Sequence, residues 1–278
     1  MSTSIVKRNN VTVRGEGERP MLFAHGFGCD QNMWRFVAPH FEAEYRVVLF
    51  DYVGAGGSDL SAYDADRYDA LDGYAQDVLE VCEALSLQDV VFVGHSVSTV
   101  TGMLAALEAP SRFDELVLIG ASPCYLNDPP DYHGGFERED LEGLLEMMDK
   151  NYIGWADYFA SLLMQQAEAQ EVVEELDRSF CSTDPHVARQ FAEVTFLSDY
   201  RDAVPEVPVS SLLVQCREDI VAPPAVSRYL EAHLPDATLT MLDVAGHCPH
   251  MSHPEATTAA IEAYLSSADA SACPPVGT

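Results

Sequence analysis

Six short apolar runs, rich in Val, Leu and Phe, alternate along the chain with stretches of helical periodicity, and this alternation constrains the fold more than any other feature. The runs are Met21–Ala24, Arg46–Asp51, Val90–Gly94, Leu116–Gly120, Ser211–Cys216 and Leu239–Leu242. Buried strands that alternate with amphipathic helices are typical of a mostly parallel sheet covered by helices. The sequence therefore predicts a doubly wound α/β fold.

Two helices and one hairpin are predicted around the first strands. One amphipathic stripe consists of Tyr74, Val78, Leu79, Cys82 and Leu85, and a second helix spans Val100 to Leu107 and ends near Pro110. Nearer the start of the chain, Ile5–Val6 and Val11–Val13 flank Asn9-Asn10, which predicts an antiparallel hairpin.

The alternation stops between about Cys124 and Val207, where four helical stripes follow one another. Their members are Leu141, Leu144, Leu145 and Met148; Trp155, Tyr158, Phe159, Leu162 and Leu163; Val172, Val173 and Leu176; and Val187, Phe191 and Val194. We expect a four-helix cap over residues 124–207, inserted into an α/β core formed by 1–123 and 208–265. Residues 266–278, rich in Ala, Ser and Pro, are expected to form a flexible tail.

The chain carries far more acid than base. Fifteen Lys and Arg against forty-five Asp and Glu give a net charge of −30. Because such a surface repels phosphates and anionic lipid headgroups, we expect no nucleic acid and no membrane among the partners, and a neutral substrate in preference to an anionic one. The acids are scattered through helices and turns, as in proteins of salt-accumulating halophiles; an ordinary acidic protein and an acidic partner surface are the alternatives.

Cysteine usage and the first residues bear on the location of the protein. The seven cysteines, at positions 29, 82, 124, 181, 216, 248 and 273, form no CxxC pair. They predict reduced thiols in a cytoplasmic protein. Met1 to Asn10 contains no apolar signal-peptide core, and nowhere do eighteen apolar residues follow one another, so we expect a soluble chain that is not exported.

A serine lies in the turn between a predicted strand and a predicted helix. The segment Gly94-His95-Ser96-Val97-Ser98 matches the G-x-S-x-G nucleophile elbow, except that Ser98 stands in the last position. In such an elbow a strained turn holds the serine hydroxyl out at the carboxyl end of the sheet. An ordinary strand–helix turn is the alternative, but the place of this segment within a parallel-sheet pattern favours Ser96 as a nucleophile.

A serine nucleophile needs a base, and the base needs an orienting acid. Asp219 follows the fifth apolar run and His247 follows the sixth, which gives the order Ser, acid, His that this fold uses. Asp219 precedes apolar residues and a turn, so we favour it over its neighbour Glu218 and over Asp243.

The base has two rivals, His250 and His253. Together with His247 they give the spacing His-x-x-His-x-x-His, which invites a metal interpretation. Pro249 and Pro254 interrupt any helix that could align the three imidazoles, and the HExxH pattern is absent. We therefore predict no metal and no cofactor.

Backbone donors for an oxyanion are predicted after the first strand. Met21–Ala24 leads into His25-Gly26-Phe27-Gly28, whose glycines let the backbone turn back toward the elbow. The backbone N–H groups of Phe27 and Val97 are the candidate donors. A simple strand-end turn is the alternative.

The motifs together resemble those of the α/β-hydrolase superfamily. They are Phe23-Ala24-His25-Gly26-Phe27-Gly28, Asp51-Tyr52-Val53-Gly54-Ala55-Gly56-Gly57-Ser58-Asp59, Gly94-His95-Ser96-Val97-Ser98 and Gly246-His247-Cys248-Pro249-His250. The elbow, with Ser122-Pro123 and Gly-His-x-Pro-His, more closely resembles the branch of the bacterial regulator RsbQ and the plant karrikin and strigolactone receptors.

This resemblance covers nearly the whole chain. It implies a triad of Ser96, Asp219 and His247, an oxyanion hole at Phe27 and Val97, and a cap of four helices over a deep apolar pocket. The segment that begins at Cys124 matches no single branch.

Two functions follow from these residues. The first is a cofactor-free serine hydrolase that acts on a small, largely apolar ester or lactone through an acyl-enzyme. The alternative is a ligand sensor that hydrolyses slowly and signals to a protein partner through the cap. Carbon–carbon bond hydrolases and haloperoxidase-like activities use the same triad, whereas a dehalogenase is disfavoured because its nucleophile would be Asp. The sequence does not set the oligomeric state.

The charge generates a testable prediction. If salt screens the repulsion among the acids, the melting temperature should fall by several degrees between molar and millimolar KCl, because each kcal/mol of stability lost shifts it by about 2–4 °C. Differential scanning calorimetry across a KCl series measures this. Equal melting temperatures at the two ends of the series would contradict the halophile interpretation.

Overall fold

A seven-stranded sheet forms the centre of the computed structural model, which describes residues 4–164 and 170–272. The strands are β1 (Thr12–Arg14), β2 (Arg19–Ala24), β3 (Tyr45–Leu49), β4 (Val90–His95), β5 (Phe113–Ile119), β6 (Ser210–Glu218) and β7 (Ala237–Ala245). Their order in the sheet is β1-β3-β2-β4-β5-β6-β7. Only β1 runs antiparallel to its neighbour, β3, and the remaining pairs are parallel.

The helices flank this sheet and fill the long insertion between β5 and β6. They are α1 (Ile5–Arg8), α2 (Leu71–Ala84), α3 (Val97–Glu108), α4 (Arg138–Lys150), α5 (Tyr152–Met164), α6 (Gln170–Ser182), α7 (Pro185–Phe196), α8 (Pro224–His233), α9 (Pro249–Ser252) and α10 (Pro254–Ala272). Short 3₁₀ turns occur at Gln31–Trp34, Ala38–Phe41, Leu60–Ala62, Pro110–Arg112 and Arg201–Glu206.

The doubly wound α/β prediction is confirmed. Each of the six predicted apolar runs overlaps a strand, and both predicted helices are present as α2 and α3. All six residues of β4 are buried, as expected for a central parallel strand covered on both faces. Such a strand carries apolar side chains on both faces, so the sequence shows it as a continuous apolar run.

The predicted N-terminal hairpin is wrong. Residues Ile5–Arg8 form the single turn α1, and β1 pairs with β3 instead. Long-range polar contacts decide this: the Arg8 guanidinium pairs with Asp77 and Glu80 on α2, and the side chain of Asn9 donates to Asp77 and to a backbone carbonyl. Arg8 and Asn9 therefore anchor the chain to α2, and Asn9-Asn10 does not form a hairpin turn.

The four helical stripes of the insertion are α4, α5, α6 and α7. Helix α4 packs against α5 and α7, and α5 packs against α6. The stripe residues are buried or partly buried except Tyr158, which is 50% exposed. The division of the chain into core and cap stays a prediction at this point.

The predicted tail overlaps the last helix. Helix α10 continues to Ala272, so the first part of the segment 266–278 is helical, and its flexibility stays a prediction. Residues 273–278 lie outside the described residues.

Two further observations concern membranes and thiols. Within residues 4–164 and 170–272 the longest helices are too short or too polar to cross a bilayer. Six of the seven cysteines are free thiols, and the seventh, Cys273, is not among the described residues.

Candidate active site

Five turns meet at the carboxyl edge of the sheet. Because parallel strands end at the same edge, the register pairs of the central strands, such as Ala24 with Gly94 and His95 with Ile119, bring the segments that follow them side by side. The turns after β2, β4, β5, β6 and β7 carry the predicted oxyanion segment, Ser96, Gly120, Asp219 and His247, respectively.

Ser96 occupies a strained backbone conformation between β4 and α3. Its φ of 55° and ψ of −121° lie outside the regions that L-residues ordinarily populate. The strain aims the side chain away from the helix and toward the neighbouring turns, and Ser96 remains 7% exposed. This is the geometry expected of a nucleophile elbow.

A chain of hydrogen bonds joins the three predicted triad residues. Oγ of Ser96 lies 2.9 Å from Nε2 of His247, and Nδ1 of His247 lies 2.8 Å from Oδ2 of Asp219. Because the carboxylate can only accept, Nδ1 carries the imidazole proton and Nε2 is free to accept from the serine hydroxyl. The arrangement can deprotonate a serine during attack on a carbonyl carbon.

The structure separates Asp219 from its two rivals. Oδ1 of Asp219 accepts from the backbone N–H groups of Val221 (2.9 Å) and Ala222 (3.0 Å), while Oδ2 faces His247. Glu218 is exposed, and Asp243 pairs at the surface with Arg217. The carboxylate that contacts the imidazole is therefore that of Asp219, and both of its oxygens are held.

The two candidate oxyanion donors flank the serine. Val97 is the first residue of α3, where a helical N–H has no partner within the helix, and Phe27 lies in the turn after β2. Across the part of the chain that the structure describes, neither N–H donates to a protein acceptor. Both donors are thus open to a ligand oxygen.

Two polar residues at the site escaped the sequence analysis as functional candidates. The hydroxyl of Tyr125 lies 3.4 Å from Oγ of Ser96, and burial raises the pKa of Tyr125 to about 12, so the phenol stays protonated at neutral pH. His95 donates from Nε2 to the backbone carbonyl of His247 at 2.9 Å. Tyr125 lies in the loop after β5, and no sequence motif marks it. His95 occupies the variable second position of the elbow pattern, which assigns it no role.

The other two histidines of the predicted spacing do not face Ser96. His250 is buried against Trp34 and His95, with ring centroids 4.7 and 4.4 Å apart, and burial lowers its pKa to about 3. Nδ1 of His253 lies 2.9 Å from Oγ of Ser252. Among the described residues no group of three or more His, Cys, Asp or Glu side chains is arranged to hold a metal.

Aromatic rings from the insertion cover the turn after β2. The ring of Phe27 contacts Trp155, Phe180, Phe191 and Phe196 at centroid separations of 6.0, 6.1, 5.4 and 5.7 Å. Helix α5 also contacts the turn that carries His247, because the backbone N–H of His247 donates to the carbonyl of Leu163 at 2.7 Å. The surroundings of the site are thus apolar, and the insertion touches two of its turns.

Comparison with known proteins agrees with this geometry. The family model described as "alpha/beta hydrolase fold" matches residues 19–254. The "Strigolactone esterase RMS3" of Pisum sativum is 38% identical over 96% of this chain and 100% of its own length. The "Karrikin insensitive 2 receptor CA" of Petunia hybrida is 37% identical over 90% of this chain and 93% of its own length.

A solved structure is also similar. It is a hydrolase from Oleispira antarctica, olei00960, with 45% sequence identity and a TM-score of 0.92 over 94% of this chain and 96% of that one. The resemblance to the branch with karrikin and strigolactone receptors is confirmed by these relatives.

Gly120 provides a test of the site geometry. Its φ is +60°, and a Cβ added there would lie 3.0 Å from Cε1 of His247. Gly120→Ala should therefore displace the imidazole and lower kcat for p-nitrophenyl acetate at least tenfold, since misplacement of a reacting group by about 1 Å costs up to about 10²-fold. Steady-state kinetics measure the change.

The matched control is Gly143→Ala on α4, where an added Cβ meets nothing within 4 Å. This variant should keep its activity and gain up to about 1 kcal/mol of stability from better helix propensity. Equal kcat values for the Gly120 and Gly143 variants would contradict the contact with His247.

Proposed function

The chain belongs to the α/β-hydrolase family and is a serine hydrolase, and we propose that it cleaves a small, largely apolar ester or lactone at Ser96 through an acyl-enzyme. The observation that carries this proposal is the hydrogen-bonded chain from Ser96 through His247 to Asp219 on a strained elbow. The order and roles are those of an acyl-transfer triad.

The proposed reaction begins with proton transfer. Nε2 of His247 takes the hydroxyl proton as Oγ of Ser96 attacks the substrate carbonyl carbon, and the carbonyl oxygen becomes an oxyanion facing the N–H groups of Phe27 and Val97. The imidazolium then gives its proton to the leaving alcohol. A water molecule, deprotonated by the same nitrogen, cleaves the acyl-enzyme and releases the acid, while Asp219 holds His247 in the required tautomer.

The substrate class follows from the cover over the site. Residues 124–207 act in this proposal as the cap, and the rings that α5, α6 and α7 place against Phe27 favour an apolar acyl group or lactone ring. A metal or cofactor has no role in this mechanism. A neutral substrate suits a chain with a net charge of −30 better than an anionic one.

The setting of this reaction is proposed on the same grounds. The scattered acids support a high-salt environment, and the free thiols support a reducing compartment such as the cytoplasm.

Replacement of the nucleophile tests the proposed function. Ser96→Ala should lower kcat for p-nitrophenyl acetate or butyrate by about 10⁴-fold or more, because the nucleophile of the triad is lost while the fold remains. The wild type and the variant are assayed in high KCl. Their circular dichroism spectra and melting temperatures serve as controls for folding. If Ser96→Ala kept turnover close to that of the wild type, the assignment of Ser96 as the nucleophile would be refuted.

The second candidate function is a ligand sensor that hydrolyses slowly and signals to a protein partner through the cap. It is favoured by the 37% identity to a relative named as a receptor, over nearly the full length of both chains. In a sensor the acyl-enzyme or the bound product persists, whereas enzymes typically turn over 1–10³ times per second.

Stopped-flow kinetics separate the two candidates. An esterase, with or without an initial burst from acyl-enzyme formation, should continue through many turnovers. A sensor should release about one equivalent of alcohol in a burst and then turn over more slowly than about once per minute. Linear multiple turnover without a burst would exclude the sensor for the substrate tested.

A further inference from the structure

Ser98 stands where the elbow pattern has glycine, and its side chain is fully buried in a hydrogen-bond network. Its Oγ donates to the backbone carbonyl oxygen of His25 at 2.5 Å. The hydroxyl of Tyr52 lies 2.9 Å from Oγ of Ser98 and 2.7 Å from Oγ1 of Thr101. The extra side chain at the elbow is thus joined to the first residue of the oxyanion turn.

Two backbone carbonyls fix the direction of the serine and threonine protons in this network. A carbonyl oxygen only accepts, so the hydroxyl protons of Ser98 and Thr101 point at the carbonyls of His25 and Ser98, respectively. Burial raises the pKa of Tyr52, which keeps its phenolic proton in place. The Tyr52 hydroxyl can donate it to Oγ of Ser98 or to Oγ1 of Thr101, and in either case Ser98 donates to the oxyanion turn.

The ring of His25 is held by the same region of the protein. The backbone N–H of Tyr52 donates to Nε2 of His25 at 3.2 Å, so the imidazole proton resides on Nδ1. Nδ1 lies 2.9 Å from the carbonyl oxygen of Gly26 and therefore donates to it. His25 is completely buried, so water does not compete for these bonds.

The consequence concerns Phe27, because the carbonyl of Gly26 and the N–H of Phe27 belong to one peptide group. That group is planar, with its C=O and N–H pointing in opposite directions. An imidazole that holds the oxygen of Gly26 therefore also sets the direction of the Phe27 N–H. Ser98 holds the preceding peptide, so two consecutive peptide groups of the turn are fixed.

We propose that Ser98 is a positioning residue that locks the oxyanion turn through the carbonyl of His25 and thereby aims the N–H of Phe27 at the substrate oxygen. The inference rests on the proposed function for its catalytic meaning. The hydrogen bonds that carry it do not depend on which substrate is used. Ser98 touches no substrate in this scheme, and its effect passes through His25 and Gly26.

Ser98→Ala removes the hydroxyl and keeps nearly the same volume. Loss of a whole oxyanion donor costs about 10²–10³-fold in kcat, so a donor that is only loosened should cost about tenfold. KM should stay within about twofold, because the ester binds before its oxyanion forms. Tyr52→Phe, which keeps the ring but removes the hydroxyl that contacts Ser98, should give a smaller loss.

The matched control is Ser211→Ala at the start of β6. Ser211 is likewise buried, and its hydroxyl also donates to a backbone carbonyl, that of Val209, at 3.0 Å, at the end of the sheet opposite to the site. This variant loses the same kind of hydrogen bond and should keep both kcat and KM. A fall in kcat that merely followed lost stability would appear in both variants.

An aryl trifluoromethyl ketone probes the oxyanion hole directly. Its carbonyl carbon bonds to Oγ of Ser96, the C=O π electrons become an oxyanion, and the hydroxyl proton moves to His247. The inhibition constant should rise about tenfold in Ser98→Ala and stay unchanged in Ser211→Ala. Unchanged kcat and inhibition constant in Ser98→Ala would overturn the inference.

Amide hydrogen exchange of Phe27, measured by NMR, reports on the turn without any turnover. Exchange should be about tenfold faster in Ser98→Ala than in the wild type and in Ser211→Ala; equal rates would overturn the inference. If the wild type lacks Ser96-dependent hydrolysis and does not bind the ketone, the proposed function fails, and the exchange rates still decide whether Ser98 locks the turn.

Discussion

The positive φ of Ser96 is the constraint on which the arrangement of the site depends. A residue held in such a region costs about 1–3 kcal/mol, so the surroundings must over-determine it. They do so on both sides: the N–H of Ser96 donates to the carbonyl of Ile119 on the neighbouring strand, and its own carbonyl accepts from the hydroxyl of Thr99. The turn is also tight, since a Cβ at Gly94 would lie 2.8 Å from the carbonyl oxygen of Ser98. The energy that closes the elbow thus comes from the register of the parallel sheet and from the first turn of α3.

A second requirement is that the imidazole which accepts the serine proton should have no cation next to it. His95 packs against His247, and His250 packs against His95; burial lowers the pKa of both, so both remain neutral at physiological pH. A neutral His95 can then donate from Nε2 to the carbonyl of His247, while the N–H of the same residue donates to Leu163 on α5. The backbone of His247 is therefore held from the core on one side and from the insertion on the other. Because the carbonyl of Leu163 on α5 accepts one of these two bonds, a shift of α5 would change the position of the imidazole.

The sequence predicted what rests on local periodicity or on a strand-end motif. Buried parallel strands show as continuous apolar runs, and Ser96, Asp219 and His247 each follow such a run, so their meeting at one edge could be inferred before any coordinates. Contacts between distant segments could not be inferred in this way. The single turn Ile5–Arg8 is decided by ion pairs to α2, and the hydroxyl of Tyr125 reaches Ser96 from a loop whose pattern is irregular. Such contacts require the fold itself, because neither periodicity nor spacing encodes them.

The acid excess and the reaction act over different distances. Mutual interactions of exposed charges fade beyond about 8 Å at physiological ionic strength and beyond about 3 Å at 1 M salt. The bonds that join Ser96, His247 and Asp219 are shorter than 3 Å and are buried, so salt screens them little. In a chain with a net charge of −30, the repulsion among surface charges can therefore vary with ionic strength while the triad keeps its geometry. Surface charge then governs solubility and the approach of charged ligands, and the sheet edge governs the chemistry.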